Sequence, residues 1–379
     1  MGATAVTTTL VDNVRARRWR AFDIQLFLYV SLLIAFGVVT GFSASFSDAA
    51  DGGLSQTVKT LIWAAIGLTI FFVACSIDYH WLQTLTVPLY LAVLGMLTLT
   101  LFIGTNLFGA QLSITVAGLD FQFSEVSKVL MVVVLASFLT GRREKVGKLS
   151  TIIGAGLLMA IPTFLVFRQP DLGTAMVFVA ILIGMLFMAG ASVGWMGILA
   201  GGVIAAAPIV VQSLADYQRQ RLFCFLDPYA DPQGACYQLV QSLNAVGSGG
   251  LFGQGLTAGR QNQLGFLPVQ STDFIFTVVA EELGLIGGLV LLGLFGLLIW
   301  RILLIGWSAR DALGMMVATG LATMLLFQIM VNVGMVTGIM PVTGIPLPFV
   351  TYGGSSLISL MFGMGILQSI RMHAYKPTF

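Results

Sequence analysis

Leu264-Gly265-Phe266-Leu267-Pro268-Val269-Gln270-Ser271-Thr272-Asp273-Phe274-Ile275-Phe276-Thr277-Val278-Val279-Ala280-Glu281-Glu282-Leu283 is where this chain passes from a polar loop into an apolar run that continues to about residue 300. Asp273 stands at the boundary, and Glu281 and Glu282 follow about two helical turns later. A carboxylate in that place has two readings. Thr-Asp before an apolar run is an ordinary helix start, with Asp273 as the cap. Alternatively, Asp273 is a carboxylate that does chemistry at a membrane surface.

The composition around it sets the class. Of 379 residues, 57% are hydrophobic and 9% charged, whereas soluble domains carry about a quarter charged residues. Apolar runs long enough to span a bilayer recur near 22–42, 58–76, 84–104, 126–140, 150–167, 173–190, 195–214, 275–300, 312–335 and 352–370. The expected fold is therefore an all-α polytopic membrane protein with ten transmembrane helices, because backbone exposed to lipid must satisfy its own hydrogen bonds. The fourth run is short and is expected to begin before Glu125. The first, preceded by Arg15, Arg17, Arg18 and Arg20, is too long for a signal-peptide core and reads as a retained span. No internal repeat is visible, so the inverted-repeat signature of many transporters is unsupported. No basic domain or basic-aromatic surface points to nucleic acid.

Charge gives the orientation. With the N-terminus inside, 12 of the 18 basic residues fall at cytoplasmic ends, so both termini are expected in the cytoplasm. The expected organisation is a cytoplasmic tail at 1–21, a ten-helix membrane domain at 22–371 and a cytoplasmic tail at 372–379. Most loops are short. The exception, at about 215–274 between the seventh and eighth spans, is extracytoplasmic on this topology, and loops of that length are usually functional or disordered. Its first half carries Tyr217, Arg221, Phe223, Phe225, Tyr237 and Leu239, and is expected to form amphipathic segments on the membrane surface. Its glycine run, 247–255, lacks the Gly-Lys-Ser/Thr ending and flanking strand of a nucleotide loop; its glycines suit tight turns or close backbone approach. A second outer loop, 338–356, is stiffened by Pro341, Pro346 and Pro348, and can enter the membrane only if protein covers it. Cys224 and Cys236 share the long loop, either as a disulfide or as free thiols, and Cys75 reads as inert packing.

Few polar residues lie near the outer face at membrane depth. Glu125 and Lys128 are spaced to pair on one helix face, either as an interfacial pair or as a cavity pair. In Arg168-Gln169-Pro170-Asp171, Arg168 and Asp171 either pair locally or Arg168 joins Lys128 and Arg221 as cations for a phosphorylated head group. The two histidines, His80 and His373, fall on cytoplasmic ends, far from each other and from Asp273. No metal cluster of His and carboxylates, nucleophilic serine motif or Cys-x-x-Cys is present.

Five stretches in fixed order carry a resemblance. They are Phe123-Ser124-Glu125 through Lys128; Gln169-Pro170-Asp171-Leu172-Gly173-Thr174-Ala175; Arg221 with Phe225-Leu226-Asp227-Pro228; Thr272-Asp273-Phe274-Ile275-Phe276 through Glu281-Glu282-Leu283-Gly284; and Asn332-Val333-Gly334-Met335 through Pro346-Leu347-Pro348-Phe349 and Tyr352-Gly353-Gly354-Ser355-Ser356. The chain resembles the SEDS family (shape, elongation, division and sporulation), with wording closest to its RodA branch. The resemblance implies a peptidoglycan glycosyltransferase of the bacterial cytoplasmic membrane, its active site facing outward. It implies lipid II as substrate, a class B penicillin-binding protein as partner and membrane lipids around it. Asp273 matches the family's essential aspartate, Glu125 and Lys128 its cavity pair, and Arg221 its loop arginine. Arg168, Gln169 and Asp171 join the expected substrate-binding set. No cofactor is called for with certainty, and a divalent metal is compatible with the chemistry. The chain departs from the family pattern at Gly265, Val269 and Ser271, where two acids and a histidine are usual, and at Ser113-Ile114, where an Arg-Trp is usual. The rival readings are a lipid II flippase and a non-catalytic scaffold for the penicillin-binding protein.

Overall fold

A computed structural model describes residues 19–46, 54–107, 110–116, 119–266 and 272–374. Most of the expected N-terminal tail, the end of the C-terminal tail, and Val269 and Ser271 lie outside these residues. The expected spans appear as helices α1 (Ile24–Ala44), α2 (Leu54–Ser76), α4 (Thr86–Ile103), α5 (Phe123–Thr140), α6 (Leu149–Arg168), α7 (Leu172–Ala189), α8 (Val193–Ser213), α12 (Ile275–Trp307), α13 (Ala312–Val336) and α14 (Gly354–Ala374). A short α3 (His80–Thr84) joins α2 to α4. Among the described residues, nine of these helices are long and apolar enough to cross a membrane. The tenth, α8, runs 21 residues from Val193 to Ser213 and is apolar over Val193–Pro208. The expected count of ten stands at nine by this measure, with α8 as a further apolar helix. The fourth span begins at Phe123, ahead of Glu125.

The membrane domain is all-α as expected, and one loop adds a few short strands. Between α4 and α5 the backbone forms a small antiparallel sheet, β1 (Thr105–Leu107), β2 (Ala110–Val116) and β3 (Leu119–Phe121), in the order β1-β2-β3. Ser113-Ile114 lies in β2, pairing with Thr105 and Phe121. Outside lipid, strands can pair with neighbours, so the rule that forces helices does not reach this loop.

The middle of the bundle is α5, α13 and α14, whose residues are mostly buried. Around them α14 packs along α2, α13 along α12 and α7, and α12 along α1. α8 stands at the edge beside α7. The long loop is ordered: it forms α9 (Asp216–Leu226), α10 (Tyr237–Ser248) and the short α11 (Arg260–Gln263), with α10 lying on α12 and α13. The proline-rich loop between α13 and α14 is covered by protein, with Val342, Ile345, Leu347, Phe349 and Val350 all buried.

The end rich in basic residues is closed by two polar clusters. Asp23 caps α1 through the Leu26 N–H and takes a two-point bond from Arg301 on α12, at 3.0 Å from Nε and 2.7 Å from Nη2. Nearby, His80 reaches Asp78 at 2.7 Å and Asp311 at 3.1 Å, and His373 lies 3.5 Å from Asp78. The two histidines, distant in sequence, thus stand with ring centroids 6.5 Å apart. Their expected separation is corrected, because the α2–α3 turn and the last turn of α14 meet on the N-cap of α13.

Candidate active site

At the opposite end, four elements bring polar groups together. The first is α5. Lys128 Nζ sits 2.6 Å from Glu125 Oε1, one turn apart, and both side chains are almost wholly buried. Burying one such charge alone is costly, and the pair offsets that cost. The depth of the pair fits a cavity rather than an interface.

The second is the start of α7. Asp171 Oδ1 accepts from the Thr174 N–H at 2.9 Å, so this carboxylate is a helix cap. Gln122 approaches its other oxygen at 3.5 Å. Burial raises the Asp171 carboxyl above its ordinary range; the Thr174 bonds and Lys128 pull it back down, and Glu125 raises it further. The local pair with Arg168 is not formed. Arg168 is exposed and makes no ion pair among the described residues. Gln169 is buried and donates through Nε2 to the Leu97 carbonyl at 2.7 Å, tying this turn to α4. Gly173 is required here, since a Cβ would lie 2.7 Å from the Thr343 carbonyl oxygen.

The third element is the long loop. Arg221 on α9 bonds through Nη2 to Gln238 Oε1 on α10 at 3.1 Å. A disulfide joins Cys224 to Cys236, with Cα atoms 5.2 Å apart, so the free-thiol alternative falls and the two helices are pinned beside the arginine. Gln218, one turn before Arg221, donates to the Pro170 carbonyl at 2.8 Å and holds α9 against the α6–α7 turn.

The fourth is the turn before α12. The N-cap position of that helix is Phe274, and no side chain caps it. The cap reading of Asp273 is therefore set aside: its half-buried carboxylate makes no hydrogen bond among the described residues. The backbone around it is held instead. Asn332 Nδ2 donates to the Asp273 carbonyl at 2.9 Å, and Thr351 Oγ1 donates to the Thr272 carbonyl at 3.2 Å. Gly344, at φ 73°, packs so closely that a Cβ there would lie 3.2 Å from Asp273 Oδ2. Burial pushes the Asp273 carboxyl up to about 6; Arg221 lowers it, while Asp171 and Glu125 raise it. These influences place Asp273, Arg221, Asp171 and Glu125 within electrostatic reach of one another.

Below this turn α12 is broken. Gly284 has φ 68° and ψ −166°, outside the helical region. The glycine run occupies the break: the Gln254 and Gly255 N–H groups donate to the Glu281 and Glu282 carbonyls at 3.0 Å, and the Leu285 and Ile286 N–H groups donate to Gly250 and Leu251. The expectation of close backbone approach is met, since a Cβ on Gly253 would overlap the Glu282 carbonyl. Glu281 accepts from the Gln261 and Asn262 N–H groups. Glu282 accepts from Ser43 of α1 and from Asn262 Nδ2. Each of the four carboxylate oxygens accepts a hydrogen bond, so the two glutamates anchor the loop. Their position inside an apolar run was the signal that they have polar partners.

The geometry can be set beside known proteins. Residues 24–376 match the family described as cell cycle protein, FtsW/RodA/SpoVE. The chain is 40% identical over 352 residues to peptidoglycan glycosyltransferase MrdB of Escherichia coli K12, covering 93% of this chain and 94% of that one. It is 37% identical over 359 residues to stage V sporulation protein E of Bacillus subtilis, covering 93% and 97%. Its fold superposes on the crystal structure of Thermus thermophilus rod shape determining protein RodA with a TM-score of 0.71 at 29% identity, over 94% of this chain and 99% of that one. A chain from a peptidoglycan synthase complex that coordinates polymerization and crosslinking superposes with a TM-score of 0.79 at 31% identity, with the same coverage. With nearly the full length of both chains aligned in sequence and in fold, this protein belongs to the FtsW/RodA/SpoVE family.

Proposed function

We propose that the chain is a peptidoglycan glycosyltransferase that polymerises lipid II, with Asp273 as general base. The observation that carries this reading is the uncapped Asp273 carboxylate, raised by burial to about 6 and facing Arg221. A base with that affinity is mostly ionised at neutral pH and still takes a proton in the transition state. Asp273 removes the proton from the acceptor sugar's 4-hydroxyl as that oxygen bonds to the donor's anomeric carbon. The bond from that carbon to the lipid pyrophosphate breaks, and the anion leaves against Arg221 and Lys128. Of the nearby carboxylates, Glu125 is paired with Lys128 and Asp171 caps α7, which favours a single displacement with inversion over a covalent intermediate. A trapped glycosyl-Asp273 adduct would refute this.

Among the described residues the carboxylates Asp273, Asp171 and Glu125 feel two cations, Lys128 and Arg221. A pyrophosphate arriving there needs further positive charge. Arg168 at the same end of α6 is one source, and a divalent metal held by one or two carboxylates and the substrate's own phosphates is another. Among the described residues no three His, Cys, Asp or Glu side chains converge as a metal cage. Asp171 and Glu125 position substrate through this charge balance, whereas Gln169 supports the turn.

The excess of basic residues at the other end supports an Asp273 face outside the cytoplasmic membrane. The synthase complex whose chain this fold matches supports a class B penicillin-binding protein as partner. The test is polymerisation of labelled lipid II by purified protein with that partner, wild type against Asp273→Asn. Loss of polymer by about 10²–10⁴ in rate in a folded variant supports the base. Normal polymerisation by the variant removes it. Lipid movement without polymer by wild type returns the flippase reading.

A further inference from the structure

Among the described residues the Asp273 carboxylate makes no hydrogen bond, and its turn is held through the backbone. The turn carrying Asp273 precedes α12 and the loop carrying Gly344 follows α13. One side chain on that helix touches both. Asn332, fully buried, donates from Nδ2 to the Asp273 carbonyl at 2.9 Å and to the Ile345 carbonyl at 2.7 Å.

The hydrogen-bond inventory fixes which way the amide points. Both neighbours are carbonyl oxygens, which only accept, so the nitrogen must face them and use both of its hydrogens. The remaining atom, Oδ1, is buried without a partner among the described residues. An unpaired buried acceptor is unfavourable and calls for an explanation. Aspartate at 332 would offer acceptors to two acceptors, and leucine would offer no donor. Of residues this size, asparagine supplies two donors from one atom. The clamp also sets the carboxylate's surroundings. Ile345 follows Gly344, where an added Cβ would lie 3.2 Å from Asp273 Oδ2. Moving either carbonyl changes how closely that backbone covers the acid.

We infer that Asn332 is a positioning residue for catalysis, clamping the Asp273 turn to the Gly344–Ile345 loop so that the carboxylate is aimed at the acceptor hydroxyl. The inference rests on the reading of Asp273 as the base. A shift of about 1 Å in a reacting group can cost on the order of 10²-fold in rate.

The test uses full-length protein with its crosslinking partner and labelled lipid II. Asn332→Leu removes both donors at similar volume. Asn332→Ser keeps a small polar side chain and carries the test if the leucine variant fails to fold. The expected result is kcat lower by about 10–100-fold, KM within about threefold, and a displaced midpoint of the pH–rate profile. In an Asp273→Asn background, adding Asn332→Leu or Asn332→Ser should lower the residual rate no further, because the clamp then has no base to aim. A merely structural role predicts additive loss. An unchanged kcat, a loss carried by KM alone, or an additive double variant overturns the clamp. Wild-type rates in Asp273→Asn would remove the base reading itself, whatever the Asn332 variants do.

Discussion

Asp273→Asn should make the protein more stable at neutral pH while it abolishes polymerisation. Burial carries the Asp273 carboxyl from an ordinary 3.8 to about 6. The folded protein therefore holds the proton more tightly than the unfolded chain does. Below pH 3.8 both states are protonated and the group has no effect on stability. As pH rises from 3.8 through about 6, the folded state must ionise a carboxylate that its surroundings disfavour. At 1.36 kcal/mol per pH unit, the cost reaches about 3 kcal/mol above pH 6. Asparagine keeps the shape and removes the charge. The variant should melt several degrees higher than wild type at pH 8, with the gap shrinking towards zero near pH 4. Thermal melting in detergent at fixed scan rate, across that pH range, is the assay. The same ionisation governs rate: wild-type polymerisation should fall about tenfold per pH unit below about 6 and level off above it. A variant less stable than wild type at pH 8, or a stability gap indifferent to pH, would refute the electrostatic reasoning. A wild-type rate flat down to pH 4.5 would refute the role of Asp273 as base.

The other structural claims lead to separate measurements. Lys128→Met should destabilise by about 3–5 kcal/mol, since it strands Glu125 in the interior, and Glu125→Gln added to it should recover most of that loss in melting experiments. Cys224→Ser with Cys236→Ser opens a loop of sequence separation 12, worth about 3 kcal/mol in the chain-entropy account. Because the loop pins Arg221, this double variant should also polymerise more slowly than its change in melting temperature accounts for. Gly253→Ala should abolish folded yield, because its methyl overlaps the Glu282 carbonyl. Gly250→Ala, left-handed at φ 55° but facing open space, should cost only about 1–2 kcal/mol. Equal effects of the two glycine substitutions, read from size-exclusion yield and melting, would mean that the loop does not fill the break in α12.

Some of the site was legible residue by residue. Glu125 and Lys128 meet because a spacing of three within one helix puts them on one face. Cys224 and Cys236 meet within a single loop. The glycine run announced close backbone contact by its composition. Asp273 was conspicuous as a carboxylate at a membrane boundary, but its two readings could not be separated until the cap position of α12 was known. Arg168 and Asp171 had the spacing of a pair, yet the Thr174 N–H took Asp171, since a helix start offers unpaired donors. Gln169 stood among the expected substrate ligands, and its amide goes to Leu97. The sheet at 105–121 was missed because a chain read as all-helical leaves little weight for short strands in loops.

The division between the two levels has a physical cause. Whether a segment enters lipid is a sum over some twenty adjacent residues, and once there its backbone has only its own hydrogen bonds to make. The spans and the polar boundary at Asp273 were thus set by local sequence. Which polar groups meet depends on chain folding over much longer distances. Glu282 is bonded by Ser43, 239 positions away, and Asp273 is held by Asn332, 59 positions away. No local rule relates such residues. The break in α12, the meeting of the two histidines and the placing of Asp273 outside the cap of α12 were decided only when the helices packed, because a buried polar group takes whichever partner the packing brings within reach.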